Sequence, residues 1–377
     1  RIVIDTEGLP PLFQDVCGNT FLELTAKRAV PALPVAGSFR SIDFALSSMS
    51  NSHIQTVAVL TQYNARSLNE HLSSAKWWNF GRKQGGLFLF TPTVTADNSD
   101  WYRGTADAMY QNIDFLKRRH EPYVIISSGD CVYKLDFNRV LDFHIEKKSD
   151  ITVVCKDMMY NDDVSRFGVV RMDDESRITE FDEKPIEASS NTISTGIYVI
   201  RRRQLIELLE AAAEENRFDF VNDILVRYKN VKKIYGYKIN SYWNNIADID
   251  AYFKTNMDFL RPDVRSYFFR EEPTICSKVD DLPPAKFNPG SDISNSLVSS
   301  GCIINGSVED SVLFKQVFVG KNTTVKNCVI LNDVYIGDNV HLENCIVESR
   351  GTINPNTCYC GEDGVMIGKE KNVRYVI

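Results

Sequence analysis

The chain has 377 residues, 43% of them hydrophobic, which is enough for a large core and points to two domains rather than one. Its 43 Lys and Arg against 50 Asp and Glu leave a net charge of −7, and no basic block exceeds Arg201-Arg202-Arg203. Nucleic acid is thereby excluded as a partner class, because phosphate neutralisation needs clustered cations. Nine scattered cysteines, with Cys358 and Cys360 as the only close pair and no C-x-x-C, fit a reduced, cytoplasmic protein and do not predict a zinc site. No run of about 18 apolar residues predicts a membrane span. The chain begins at Arg1 rather than Met, which points to trimming, and no signal peptide is visible.

Strand signals come at Ile2-Val3-Ile4, Val57-Ala58-Val59-Leu60, Tyr123 to Ile126, Ile151-Thr152-Val153-Val154 and Gly196-Ile197-Tyr198-Val199-Ile200. Helix-like stretches alternate with them. In Thr105 to Arg118, Met109, Ile113 and Leu116 share a face and Thr105 can cap the start. Gln204 to Glu214 is rich in good helix formers. The rhythm predicts a mostly parallel sheet with helices on both faces. Residues 261–285, with Pro262, Pro273, Pro283 and Pro284, read as an irregular linker.

Beyond it, apolar residues recur every six positions at Leu313, Val319, Val325 and Leu331, then at Ile336 and Leu342 after a step one residue short. Val319-Gly320-Lys321-Asn322 and Ile336-Gly337-Asp338-Asn339 share a pattern that Ile367-Gly368 echoes. Such hexapeptides predict a parallel β-helix in which each short strand turns one aliphatic residue inward. The expected division is 1–260, a linker over 261–285, and a β-helix over 286–377.

Three stretches carry candidate chemistry. Asp130 closes the apolar run that ends in Ser127-Ser128-Gly129, so it is either a turn residue or a carboxylate at the end of a strand, where α/β sheets place ligands. Gly104 and Thr105, inside Trp101-Tyr102-Arg103-Gly104-Thr105-Ala106-Asp107, open a helix whose free N–H groups suit an anion or a base edge, unless the helix is merely capped. Lys184 precedes Pro185, which predicts an extended backbone and a fixed charge aimed into a cleft, or else a surface turn.

Together these stretches resemble one family. Leu24-Thr25-Ala26-Lys27-Arg28-Ala29-Val30-Pro31-Ala32 is similar to its first signature. So are Phe39-Arg40-Ser41-Ile42-Asp43, Asp100 through Ala108, Ser128-Gly129-Asp130 with Tyr133-Lys134-Leu135-Asp136, Glu183-Lys184-Pro185 and Thr195-Gly196-Ile197-Tyr198. The family is ADP-glucose pyrophosphorylase, or glucose-1-phosphate adenylyltransferase, and the resemblance covers nearly the whole chain. It implies a Rossmann-like nucleotidyltransferase (GT-A-like) α/β domain followed by a left-handed parallel β-helix. It also implies the reaction of ATP with glucose 1-phosphate to give ADP-glucose and pyrophosphate, in cytoplasmic glycogen synthesis. In the family two aspartates hold Mg²⁺, and Asp130 matches one of them. Glu183 and Lys184 match residues that hold the sugar and its phosphate, with Ser194 beside them. Tyr102, Gly104 and Thr105 match the nucleotide side.

The departures from the family fall on one subsite. The second metal aspartate is replaced by Asn245, and a neighbouring arginine by Asn244, in Trp243-Asn244-Asn245-Ile246-Ala247-Asp248. Asp248 reads instead as the cap of a helix from Ile249 to Asp258. The family's glycine-rich triphosphate loop has no counterpart in Glu7 to Leu22, which lacks Gly-Gly, contains Pro10 and Pro11, and lies in a span without Lys or Arg between Arg1 and Lys27. Val30 stands where many relatives carry an effector-binding lysine. Metal and triphosphate functions are weakened while the sugar-phosphate motif is kept. The pattern implies the D-type regulatory subunit of a heterotetramer, with Mg²⁺ weak or absent, a sugar phosphate or nucleotide as ligand, and a catalytic C-type subunit as partner. A self-sufficient nucleotidyltransferase and a sugar-phosphate-binding scaffold are the alternatives.

Overall fold

The computed structural model describes residues 2–6, 24–25, 28–81, 85–93, 101–159, 162–246 and 248–361. The altered triphosphate loop and the Ile367-Gly368 echo lie outside the described residues.

Each expected strand forms, within a nine-stranded sheet. Gly86–Phe90, Thr56–Leu60, Ile2–Thr6 and Tyr123–Ser127 run parallel in that spatial order. Thr192–Arg201 then lies antiparallel to both Tyr123–Ser127 and Ile151–Asp157, and Ile234–Ile239 closes that side parallel to Ile151–Asp157. Gly168–Met172 and Ile178–Glu183 form an antiparallel hairpin. The sheet is therefore mixed rather than mostly parallel. Parallel neighbours need a crossover of about a dozen residues or more, and the connections 173–177 and 184–191 are too short for one. Core clusters lie on both faces, one around Ile42, Val57 and Ile125, the other around Met109, Val124 and Leu205. Among the described residues, no helix is long and apolar enough to cross a membrane.

Two helical expectations need correction. The stretch from Thr105 breaks at Asn112 (φ −107°, ψ 21°) into Thr105–Gln111 and Ile113–Lys117. Asn112 donates to the Ala108 carbonyl and the Tyr102 hydroxyl, and this side-chain bonding competes with the helical ladder. Within the supposedly irregular linker, Pro262–Phe269 is a helix with Pro at its first position, where the missing N–H costs nothing. Its Val264 and Phe268 are buried, so the segment belongs to a core rather than a free tether.

The tail is a parallel β-solenoid with three short strands per coil. Strands in register stand 17, 15, 17 and 17 residues apart, so the repeat tolerates shortened turns. The Asn of each repeat has two causes. Asn322, Asn339 and Asn356 adopt positive φ (53°, 56° and 60°), and their amides stack coil on coil at 3.2 and 3.0 Å. The glycine is forced by contact, since a Cβ on Gly320 would lie 2.4 Å from the Gly337 carbonyl oxygen. Leu313, Val319, Val325, Ile336 and Leu342 fill the interior as expected. Leu331 does not. It follows inward-facing Ile330 on the same strand path, so alternation turns it outward. There it joins Val312, Phe314, Val329 and Ile346 against Tyr252, Phe253, Phe259 and Phe268 of the first domain. One side of the solenoid is thus covered by its own chain.

Candidate functional site

The C-terminal ends of the sheet strands open into a cleft of about 830 Å³. Tyr102, Gly104, Thr105, Asp130, Glu183, Lys184, Ser194 and Asn245 all line it, although they come from five separate stretches of chain.

Asp130 follows Tyr123–Ser127 on a turn fixed by Ser41, whose hydroxyl donates to the Gly129 carbonyl at 2.6 Å. The Asp130 carbonyl accepts from the Ile246 amide at 2.9 Å. This joins the ribbon in which Trp243–Asn245 pairs antiparallel with Cys131–Tyr133 and Asn245 sits opposite Cys131. Asp130 and Asn245 are thereby held side by side. The Asp130 carboxylate accepts from the Ser128 hydroxyl and the Cys131 thiol, and the Asn245 amide nitrogen faces Cys131 Sγ at 3.4 Å. This pair offers one charged oxygen donor group and one neutral amide. Mg²⁺ prefers hard anionic oxygen, and no three-donor metal cluster among the described residues includes Asp130. The donor set does not fit the two-carboxylate magnesium site.

Glu183 ends the strand Ile178–Glu183, and Gly168 on the partner strand makes room for it, since a Cβ there would lie 2.8 Å from Glu183 Oε2. Burial raises the Glu183 carboxyl above the ordinary range, against the opposing pull of Lys184 and with a further rise from Asp219. Lys184 has φ +49°, so its backbone is left-handed, not extended as the following proline predicts. Avoidance of the right-handed helical region leaves this well open, and the Lys184 amide is held there by the Phe167 carbonyl at 3.1 Å. The cleft's arginines are committed: Arg103 to Asp107, Arg166 to Asp248, Arg217 to Glu215 and Asp223. Lys184 is exposed at the cleft, beside Glu183. Ser194 is brought in by a register shift between Ser194 and Tyr198, with Gly196 at φ +75°. Its hydroxyl donates to the Tyr198 hydroxyl at 3.2 Å.

The opposite wall is tighter than the sequence implies. Gly104 is required because a Cβ would lie 2.3 Å from the Phe218 carbonyl oxygen. That same carbonyl accepts from the Ala106 and Asp107 amides at 2.8 and 3.2 Å. The helix start is therefore capped from outside, and those N–H groups are not offered to a ligand. Thr105 does not cap its own helix; its hydroxyl accepts from the Phe220 amide at 2.9 Å. Tyr102 is 2% exposed, with its hydroxyl bonded to Asn112. Asp248 does cap Ile249–Asp258, accepting from the Ala251 amide at 2.7 Å. Phe218, Arg166 and Gly168 were not legible as cleft residues, because none of them belongs to a motif that gives a signal.

A second cavity of about 810 Å³ lies between the domains. Arg28, Arg40, Lys278, Lys315 and Arg350 line it with Glu70, Asp280, Asp333 and Glu348. Arg28 pairs with Glu348, and Lys315 with Asp280 at 2.7 Å. Burial lowers the pKa of the Arg40 guanidinium, which donates to Ser67. Val30 packs partly buried against the inter-domain core.

The sheet, the cleft at its strand ends and the appended solenoid define a sugar-nucleotide type of transferase. The nucleotidyl transferase family model matches residues 17–261, and the GlmU-like C-terminal hexapeptide model matches residues 283–371. The chain is 37% identical over 326 residues to a glucose-1-phosphate adenylyltransferase of Clostridium novyi, covering 86% of this chain and 85% of that one. It is 39% identical over 305 residues to the enzyme so named in Clostridium acetobutylicum, 80% of each chain, and 36% over 311 residues to that of Bacillus subtilis, 82% of each. The chain belongs to the glucose-1-phosphate adenylyltransferase family.

Proposed function

We propose that this chain is the D-type regulatory, catalytically weak subunit of a heterotetrameric glucose-1-phosphate adenylyltransferase, pairing with a catalytic C-type subunit. The observation that carries the reading is the asymmetry of the cleft. Its sugar-phosphate side keeps Glu183, Ser194 and an exposed Lys184, while the side facing the transferred phosphoryl group has Asn245 beside Asp130. In-line attack on the α-phosphorus depends on positioning and charge neutralisation. A single carboxylate supplies little of the second. The family's Mg²⁺ is weakly held here or absent, and the cleft holds a sugar phosphate as a regulatory ligand.

Assembly is supported by the solenoid. Phe287, Ile303 and Tyr335 are 51%, 39% and 47% exposed on one side, and Phe318 stacks on Tyr335 at 4.9 Å. That apolar ladder is the surface proposed for the catalytic subunit. An allosteric role is supported by the cavity between the domains, lined by charges of both signs, which joins elements of both. Co-expression with a catalytic subunit, followed by native mass and activity, tests the reading. The expected result is a mixed tetramer whose rate or effector response differs from that of the partner alone. Failure to co-assemble would favour the scaffold alternative.

A further inference from the structure

The last described coils of the solenoid carry a second cluster of donor groups. His341–Glu343 and Cys358–Cys360 stack in parallel register, with His341 opposite Cys358 and Glu343 opposite Cys360. Leu342 is buried inside, so alternation turns residues 341, 343, 358 and 360 to the outer face. One donor atom each from His341, Glu343 and Cys360 lies within 4.8 Å of the others. His341 Nε2 is 3.5 Å from Glu343 Oε2, and Cys358 Sγ is 3.6 Å from Cys360 Sγ. Tetrahedral zinc with Zn–S bonds of about 2.3 Å sets its sulfurs about 3.8 Å apart, so the two thiols already stand near that spacing.

We propose that His341, Glu343, Cys358 and Cys360 bind a zinc ion on the outer face of the solenoid. His341, Glu343 and Cys360 already converge, and a side-chain rotation of the exposed Cys358 beside Cys360 brings the second thiolate that closes a four-coordinate set. Sulfur and nitrogen donors select zinc over magnesium or calcium, which take oxygen alone. The site escapes motif reading because its donors come from strands 17 residues apart, stacked by the fold rather than spaced as C-x-x-C. Its role is mechanical. Cys358–Cys360 is the last strand of its stack among the described residues, and metal binding across two coils fastens that edge, converting binding free energy into folding free energy.

The test uses the untagged full-length chain, purified under reducing conditions, incubated with excess zinc and desalted. Metal analysis should find about one zinc per chain, in line with a single four-ligand site. The Cys358→Ser/Cys360→Ser variant should retain none, His341→Ala should bind more weakly, and Cys276→Ser, at another exposed thiol, should match the parent. Cobalt(II) in place of zinc should give a thiolate charge-transfer absorption that the double-serine variant lacks. Chelation should lower the thermal midpoint of the parent and leave that of the double-serine variant unchanged. A parent chain that retains no zinc overturns the proposal. So does a double-serine variant that retains as much as the parent, a cobalt spectrum without thiolate absorption, or a Cys358–Cys360 disulfide found under the reducing conditions.

Discussion

Lys184 holds its charge over the cleft from a backbone that few non-glycine residues adopt. Such strain, roughly 1–3 kcal/mol, persists only where surrounding contacts enforce it, and here the Phe167 carbonyl does so. If the ammonium is the main anchor for a sugar phosphate, Lys184→Ala removes a charged hydrogen bond of about 1.5–3 kcal/mol, or about 10- to 150-fold in affinity. Calorimetry with glucose 1-phosphate should read that loss, and unchanged binding would dismiss the anchor. Glu183 makes a separate prediction. Its carboxyl is raised above the ordinary range by burial, so the native state holds the proton more tightly than the unfolded chain. Its stabilising contribution is present below the usual glutamate pKa and lost as pH rises through the raised native value. Glu183→Gln should therefore gain in thermal midpoint relative to the parent on going from about pH 4 to about pH 7. A relative gain that shrinks over that interval would contradict the assignment.

At the scale of elements, much was legible and the misses have physical causes. The strands ending at Ile126 and Ile200 showed as β-branched runs, and the solenoid showed as six-residue recurrence, because burial imposes period on sequence. Asp130, Glu183 and Lys184 were legible as motif residues, with Ser194 placed beside them, and the cleft brings all four together. The capping of Thr105–Gln111 by Phe218 was not legible, since a carbonyl acceptor leaves no mark on side-chain pattern. The outward turn of Leu331 was hidden because a repeat gives spacing but not which side meets the other domain. The helix Pro262–Phe269 was masked by reading its first proline as a breaker. The cap makes a prediction of its own. Gly104→Ala forces a Cβ against the Phe218 carbonyl, an overpacking of about 1–3 kcal/mol. Urea unfolding should show that loss of stability, and a neutral result would mean the loop 215–220 yields freely.

Across the whole molecule, the two domains share a core in which Val312, Phe314, Val329, Leu331 and Ile346 meet Tyr252, Phe259 and Phe268. Removing residues 286–377 would strip that core and confuse loss of assembly with loss of folding. The sharper probe is the exposed ladder. Phe318→Glu with Tyr335→Glu places like charges where the rings stack and should disrupt hetero-assembly while the isolated chain stays folded by circular dichroism. Intact assembly would move the interface elsewhere. A partner transmits regulation only by favouring one state of the catalytic subunit, and a coupling of about 1–3 kcal/mol gives a roughly 5–150-fold change in affinity. The cavity joining Arg28 and Arg40 to Lys315 and Arg350 lies where such coupling would cross between domains.

On the proposed reading, the phosphoryl-transfer side of the cleft does not work unaided. The most direct test is the initial rate of pyrophosphate release by the isolated chain, with saturating ATP, glucose 1-phosphate and Mg²⁺, beside a catalytic relative and the Asn245→Asp variant. Metal assistance contributes several kcal/mol to such chemistry, so its weakening predicts a rate lower by several factors of ten. Asn245→Asp alone should leave the rate low, because no Lys or Arg lies between Arg1 and Lys27 to meet the triphosphate. An isolated chain that turns over within about tenfold of its catalytic relative, a barrier difference of only ~1.4 kcal/mol, would contradict the account.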